Sequence, residues 1–218
     1  MEKSNIDEKI KLLTGSGMWH TQEVEGLPSV HLSDGPHGLR KQEEKERQNN
    51  VSLVSTCYPT ASALACSWDV TAAERLGRAV AKEAWNADVA VLLGPGINMK
   101  RSPLCGRNFE YFSEDPFLAG RLGAAYVSAA QGEDVAVSLK HFAANNQETN
   151  RQTSNSQIDE RALREIYLSA FEYVVKTARP ATIMASYNRL NGYYACENRH
   201  LLTEILREEW GFDGVVSS

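Results

Sequence analysis

Four ionisable side chains carry the most obvious chemistry of this sequence: Asp34, Arg107, Lys140 and His141. Three of them directly follow apolar segments, and Arg107 follows the apolar run 89–93 through a loop. A carboxylate accepts paired hydrogen bonds from neighbouring hydroxyl groups, whereas guanidinium and ammonium groups donate to hydroxyl oxygens. One acid, one guanidinium, one ammonium and one imidazole at a common rim therefore predict a site for a polyhydroxylated ligand.

Each of these residues also has a structural interpretation. Asp34 precedes a Gly-Pro pair and could serve only as a turn-former, and Arg107 could be an ion-pair partner of Glu110 or Glu114. The neighbouring Lys-His pair could be structural, although two ionisable residues at the end of an apolar strand are costly to bury unless they are paired or used. Single residues are therefore weak signals, and the group of four is a stronger one.

The elements that must position these residues alternate between strands and amphipathic helices. The apolar runs predict strands at 29–33, 89–93, 135–139, 181–186 and 214–218, and helical spacing predicts helices at 70–85, 116–131, 159–177 and 199–210. Such alternation predicts an α/β fold with a parallel sheet. Because polar residues follow successive strands, we favour an incomplete TIM-like (β/α) barrel over an open doubly wound sheet. The run 89–93 is typical of a strand buried on both faces, and we expect the same of 214–218.

Composition excludes several classes of function. The chain is 42% hydrophobic and 23% charged with a net charge of -5, which is ordinary for a globular protein and offers no basic face for nucleic acid. No apolar run approaches membrane length. The first seven residues are polar, so we predict no signal peptide and a cytoplasmic location. The mixed charges at 41–47 predict a solvated loop.

The four cysteines, Cys57, Cys66, Cys105 and Cys196, are far apart and form no CxxC or CxxH motif. This spacing argues against a zinc site and against a disulfide framework. We expect small, buried, reduced residues, and we predict no metal and no cofactor.

Four ordered motifs resemble glycoside hydrolase family 3, in particular the N-terminal barrel domain of its β-glucosidase branch. They are SDGPHGLR at 33–40, GRNFE at 106–110 with SEDP at 113–116, KHF at 140–142 and SYN at 186–188. The resemblance extends from Lys9 to the last residue. It implies a retaining, exo-acting β-glycosidase that hydrolyses terminal non-reducing β-D-glycosides, with β-glucosidase favoured.

The same resemblance assigns roles to individual residues. Asp34, Arg107, Lys140 and His141 would hold the glycone in subsite -1. Met184 and Tyr187 would line the same pocket and offer apolar contact to one face of the sugar. The segment 143–148, AANNQE, replaces the Pro-Gly-His-Gly loop of the N-acetylglucosaminidase branch, which disfavours that activity.

The resemblance places the catalytic carboxyls outside this chain. Ser218 matches the serine of the Ser-Asp-Trp nucleophile motif, so the nucleophile Asp is expected directly after it, and the general acid/base is expected in a later domain. Residues 1–218 would then be a truncated N-terminal barrel domain whose partners are a carbohydrate substrate and the remainder of the same polypeptide. We expect two unpaired sheet edges, and we expect Arg107, Lys140 and His141 to face an open rim.

Three alternatives remain open at this point. The first is a β-xylosidase of the same family, because xylose differs from glucose by one hydroxymethyl group. The second is a Schiff-base aldolase on a similar barrel, with Lys140 as its nucleophile. The third is a carbohydrate-binding module without catalysis.

Overall fold

A parallel sheet flanked by helices forms the centre of the molecule. The computed structural model describes residues 6–42 and 51–218, and the segment 43–47 of the predicted charged loop lies outside these residues. The strands within them are β1 (Leu32–Asp34), β2 (Val91–Leu93), β3 (Ala136–Phe142), β4 (Asn155–Ser156), β5 (Thr182–Ala185), β6 (Arg189–Leu190), β7 (Tyr193–Tyr194) and β8 (Val215–Ser217). Five of these form a parallel sheet in the order β1-β2-β3-β5-β8.

This sheet confirms the predicted α/β class and the incomplete barrel. In the described part of the chain β1 and β8 are the outer strands. The prediction of two unpaired edges is wrong for β1. The N–H of Leu32 donates to the backbone oxygen of Trp19, and the backbone oxygen of Asp34 accepts from Arg40. β2 is buried throughout, as its continuous apolar run predicts. The prediction that 214–218 is buried is wrong for Val215, which is exposed, because β8 has β5 on one side only within these residues.

Two strands differ from the predicted boundaries for local reasons. β1 begins at Leu32 instead of residue 29, because the backbone of Val30 pairs with Thr21 upstream and not with the sheet. β3 continues to Phe142, which pairs with Ala185 after a shift of register. Lys140 therefore lies within β3, whereas the predicted strand ended at residue 139.

Helices cover the sheet. They are α1 (Ile6–Lys11), α2 (Ala61–Ala65), α3 (Val70–Asn86), α4 (Pro116–Gln131), α5 (Glu160–Ala162) and α6 (Ser169–Ala178), with π-helical segments at Leu163–Tyr167 and His200–Glu209. Asp69 and Asp115 cap α3 and α4, and each carboxylate accepts a hydrogen bond from the backbone two residues later. The predicted helix 159–177 is correct in position, with a π-helical turn inside it.

The packing of α3 on α4 depends on a close backbone approach. A Cβ atom on Gly77 of α3 would lie 2.5 Å from the carbonyl oxygen of Tyr126 in α4. The helices thus leave no room for a side chain at this position. The buried small residues of α3 and α4 pack in the hydrophobic core, which includes Leu92, Leu122 and Leu139.

The prediction of reduced cysteines is confirmed, and the prediction that they are buried is wrong for three of the four. Cys105 is buried, but Cys57, Cys66 and Cys196 are exposed, and all four are free thiols. Cys66 caps the C-terminus of α2, Cys57 lies on a loop and Cys196 lies in a short 3-10 turn, and all three positions are at the surface. Among residues 6–42 and 51–218, no helix is long and apolar enough to cross a membrane. The cytoplasmic location stays a prediction.

Candidate active site

Asp34 and Lys140 meet at the edge of the sheet where the parallel strands end. Asp34 is the last residue of β1 and Lys140 lies on β3, two strands away. The Lys140 Nζ is 3.3 Å from Asp34 Oδ1. The Asp34 side chain is 29% exposed and that of Lys140 only 2%. The backbone oxygen of Asp34 also accepts a hydrogen bond from Arg40, so Asp34 closes a turn and presents a carboxylate as well.

Glu110 connects Lys140 to Arg107. It ends the 3-10 turn Asn108–Glu110, and its Oε2 lies 3.5 Å from Lys140 Nζ while its Oε1 contacts Arg107 Nε. The Glu110 side chain is 3% exposed. Asp34, Lys140, Glu110 and Arg107 thus form a chain of alternating charge with no formal net charge. Pairing offsets the cost of burying these ions.

Arg107 makes the ion pair with Glu110, one of the two partners suggested by the sequence. Burial alone would lower the pKa of the Arg107 guanidinium, but attraction by Glu110 and the hydrogen bond between them outweigh burial, so the pKa of Arg107 is raised. The prediction that Arg107, Lys140 and His141 face an open rim is wrong for Lys140 and His141, whereas Arg107 is partly exposed. Lys140 and His141 are buried, because the chain's own carboxylates surround Lys140 and neighbouring polar groups surround His141.

Asn98 and Tyr111 hold His141 in place. The Asn98 side chain donates to the backbone oxygen of His141 at 2.8 Å and accepts from its backbone N–H at 2.7 Å. The Tyr111 hydroxyl lies 3.1 Å from His141 Nδ1. All three residues are buried. The imidazole ring therefore has a fixed orientation.

His141 is uncharged at neutral pH. Burial lowers its pKa well below the usual value, and the nearby charges of Lys140, Arg107 and Arg151 lower it further. A neutral imidazole can donate one hydrogen bond and accept another. It adds no positive charge to the balanced cluster beside it.

A polar network extends from Tyr111 towards the surface. The Asn145 side-chain nitrogen lies 3.2 Å from the Tyr111 hydroxyl and 2.9 Å from Glu148 Oε1, and Arg151 Nη1 donates to Glu148 Oε2 at 2.8 Å. The Arg151 guanidinium also lies 5.0 Å from the ring centre of Tyr187. Tyr187 is therefore tied to His141 through four intermediate residues.

Met184 and Tyr187 lie at the same edge of the sheet. Met184 is half-buried on β5, in register with Lys140 on β3. Tyr187 is exposed just beyond that strand, where the hydrogen bond from the Ser186 hydroxyl to the Ala143 backbone oxygen fixes the turn. All six candidate residues therefore occupy the carboxyl ends of strands or the loops that follow them.

Several residues of this cluster were not predicted from the sequence. They are Asn98, Tyr111, Asn145, Glu148 and Arg151, and Glu110 was expected mainly as a structural partner. The polar segment that follows β3 directly was a usable signal for Asn145 and Glu148, because loops at this edge carry binding residues in barrel folds. Among the described residues, no three His, Cys, Asp or Glu side chains are grouped so that they could hold a metal ion.

The parallel sheet, its covering helices and the polar cluster define an incomplete (β/α) barrel domain that carries a charged cluster at the C-terminal edge of its strands. The chain belongs to glycosyl hydrolase family 3: residues 36–218 match the model described as the Glycosyl hydrolase family 3 N terminal domain.

Individual relatives agree with this assignment. The chain is 52% identical to thermostable beta-glucosidase B of Acetivibrio thermocellus and 51% identical to an exo-alpha-(1->6)-L-arabinopyranosidase of Bifidobacterium longum; the alignments cover 100% and 98% of the chain and 29% of each relative. Beta-glucosidase 3B from Thermotoga neapolitana, solved in complex with glucose, superposes with a TM-score of 0.92 at 42% identity, over 99% of the chain and 32% of that structure. The chain spans about a third or less of these proteins.

Proposed function

We propose that this chain provides the glycone-binding part of a retaining β-glycosidase whose favoured substrates are terminal, non-reducing β-D-glucosides. The observation that carries the proposal is the partly exposed carboxylate of Asp34, held by the buried ammonium of Lys140 at the strand ends. A fixed carboxylate with free acceptor capacity suits two neighbouring hydroxyl groups of a sugar. Family membership and relatives named beta-glucosidase support the same substrate class.

The six candidate residues contribute acceptors, donors and apolar surface in this proposal. Asp34 accepts hydrogen bonds from glycone hydroxyls, and Arg107 and Lys140 donate to hydroxyl oxygens through the N–H groups that their carboxylate partners leave free. His141 contributes its second ring nitrogen. Met184 and the ring of Tyr187 provide apolar contact to the apolar face of the sugar.

The two carboxyls of a retaining mechanism are proposed to come from other parts of a longer polypeptide. Such a mechanism needs a nucleophile and an acid/base about 5–5.5 Å apart. Glu110 is buried between two cations, so it is poorly suited to either role. The relatives are about three times as long as this chain. Ser217 pairs with Met184 across β8 and β5, so a residue shortly after Ser218 would lie beside the proposed sugar site.

A second candidate activity is the hydrolysis of α-L-arabinopyranosides. The Bifidobacterium longum relative of that name is almost as similar to the chain as the A. thermocellus beta-glucosidase. A β-xyloside is the third substrate to compare, because it differs from a β-glucoside by the hydroxymethyl group alone. The Schiff-base alternative is disfavoured, since it needs a Lys140 amine that is free to attack a carbonyl carbon, whereas the buried Lys140 Nζ is held between the carboxylates of Asp34 and Glu110.

The test is steady-state hydrolysis of aryl β-D-glucoside, α-L-arabinopyranoside and β-D-xyloside by the full-length product of the gene. We expect the highest kcat/KM for the glucoside, and we expect NMR to show the β-anomer as the first product. Asp34→Ala serves as the control against contaminating enzymes. Preference for the arabinopyranoside would select the second candidate, and absence of hydrolysis on all three, or inversion, would refute the proposal.

A further inference from the structure

We propose that Tyr111 is a positioning residue that fixes His141 as the neutral tautomer with its hydrogen on Nε2. In that form His141 donates a hydrogen bond to a hydroxyl oxygen of the glycone. This inference rests on the sugar-binding function proposed above. It follows from the direction of the hydrogen bonds in the network that ends at Tyr111.

The direction is set at Glu148. A carboxylate only accepts hydrogen bonds, so the Asn145 side-chain atom 2.9 Å from Glu148 Oε1 must be the amide nitrogen. Arg151 donates to the other oxygen at 2.8 Å and keeps the carboxylate in place. The orientation of the Asn145 amide is therefore determined, because the reverse orientation would place two acceptor oxygens against each other.

The second hydrogen of the Asn145 amide points to Tyr111. The amide nitrogen lies 3.2 Å from the Tyr111 hydroxyl oxygen, which therefore accepts a hydrogen bond. The hydroxyl hydrogen needs an acceptor of its own, because Tyr111 is buried. Within the described residues, the other polar side-chain atom at hydrogen-bond distance is His141 Nδ1, 3.1 Å away. Tyr111 therefore donates to Nδ1, and Nδ1 carries no hydrogen.

The protonation states of the two rings agree with this direction. Burial raises the pKa of the Tyr111 hydroxyl above its usual value, so it keeps its hydrogen. Burial, followed by the charges of Lys140, Arg107 and Arg151, lowers the pKa of His141, so the imidazolium form is excluded near neutral pH. A neutral imidazole without a hydrogen on Nδ1 carries it on Nε2.

The tautomer determines what the site can recognise. Asp34 presents only acceptor atoms, whereas Nε2–H presents a donor. A sugar hydroxyl donates one hydrogen bond and accepts others. Asp34 can therefore accept from hydroxyl groups of the sugar, and His141 can donate to a hydroxyl oxygen. With the other tautomer His141 would be a second acceptor, and a hydroxyl oxygen opposite it would lose its donor.

A double-mutant cycle in the full-length polypeptide tests the role of Tyr111. In His141→Gln the amide N–H of glutamine can donate the hydrogen bond that Nε2–H donates in the natural protein. Glutamine has no tautomers, so Tyr111 has no tautomer to select in this variant. We expect Tyr111→Phe to lower kcat/KM for the aryl glucoside about tenfold in the natural background, the value of one hydrogen bond, and less than about twofold in the His141→Gln background. Equal losses in both backgrounds would show a structural role and overturn the proposal. Tyr58→Phe, which removes a hydroxyl bonded to Glu83, is the matched control and should leave kcat/KM unchanged.

The tautomer itself can be read without any activity. Nitrogen NMR of the full-length polypeptide with ¹⁵N-labelled histidine distinguishes hydrogen on Nε2 from hydrogen on Nδ1 and from the cation. The His141 signals are those lost in His141→Gln. We expect hydrogen on Nε2 at neutral pH, and a mixture of tautomers in Tyr111→Phe. Hydrogen on Nδ1, or a cationic ring, would overturn the inference even in an active enzyme. An inactive enzyme with hydrogen on Nε2 would refute the proposed function and leave the tautomer assignment standing.

Discussion

Glu110 Oε2 lies 3.5 Å from Lys140 Nζ, and both side chains are almost completely buried. The relationship means that the site has its own charge balance before any ligand arrives. Lys140 needs no anion from a ligand to balance its charge, because Asp34 and Glu110 already form ion pairs with it. A ligand can therefore bind without first reorganising the ions, which reduces the cost of association.

Removing the buried negative charge should destabilise the fold. Glu110→Gln keeps the size of the side chain but leaves Arg107 and Lys140 without their shared partner. We expect the free energy of unfolding to fall by about 3 kcal/mol. Urea unfolding followed by circular dichroism measures it. Glu165→Gln removes an exposed pair with Arg161 and should cost about 0.5 kcal/mol or less. Equal losses would show that the buried cluster contributes no more than a surface pair.

The carboxylate of Asp34 should matter for kinetics more than for stability. Its hydrogen bonds to the glycone strengthen towards the transition state, so Asp34→Ala in the full-length polypeptide should lower kcat/KM by about a hundredfold or more. Asp69→Ala is the opposite case, because it removes the cap of α3. It should cost about 1 kcal/mol of stability and leave kcat/KM unchanged. Near-normal kinetics of Asp34→Ala with a large loss of stability would favour the turn-former interpretation.

The stability of the chain should depend on pH through His141. Its pKa in the folded state is lowered by burial, so below the unfolded value of about 6.5 the unfolded chain binds the extra proton. The free energy of unfolding should then fall with falling pH, at most by about 1.4 kcal/mol per pH unit. His141→Gln should flatten this slope between about pH 6.5 and 5.

His200 provides a control of opposite sign. The hydrogen bond to Glu204 raises the pKa of His200, and the charge of Glu160 raises it as well. The stabilisation of the fold by protonated His200 is therefore present at low pH and is lost as the pH rises through the folded pKa. His200→Gln should therefore reduce stability at acidic pH and not at alkaline pH. The same slope in His141→Gln as in the natural chain would contradict burial of His141 as the cause.

The contact between α3 and α4 should tolerate no side chain at Gly77. Gly77→Ala places a methyl group 2.5 Å from a backbone oxygen, so the helices must separate, and we expect a loss of about 1–3 kcal/mol. Gly120→Ala in α4 meets its nearest atoms at 3.4 Å, an ordinary contact, and should be neutral or stabilising by up to about 1 kcal/mol. Thermal unfolding of both variants provides the comparison, and a neutral Gly77→Ala would show that the helices can move apart without cost.

The sequence predicted the elements well because their signals are local. α3 and α4 begin at the predicted residues 70 and 116, each after a capping Asp, and the apolar run in β2 marks a strand buried on both faces. The extension of β3 to Phe142 was not predictable from local pattern. It depends on pairing with Ala185, which is distant in the sequence.

The main residues of the site were predictable from the sequence, but the hydrogen bonds and ion pairs between them were not. Motif and strand position pointed to Asp34 and Lys140, and the structure brings them within 3.3 Å. That Lys140 is buried was not predicted, because its burial depends on Glu110 from another loop. Tyr111 was missed for the same reason: its hydrogen bond to His141 joins residues 30 positions apart.

The sharpest test of sugar binding at the strand ends is a crystal structure of the full-length polypeptide with glucose. We expect a sugar ring at the carboxyl ends of the strands, with two of its hydroxyl oxygens within about 3.2 Å of the Asp34 carboxylate and one opposite His141 Nε2. Glucose bound elsewhere, or bound at this edge without contact to Asp34, would refute the proposed glycone site.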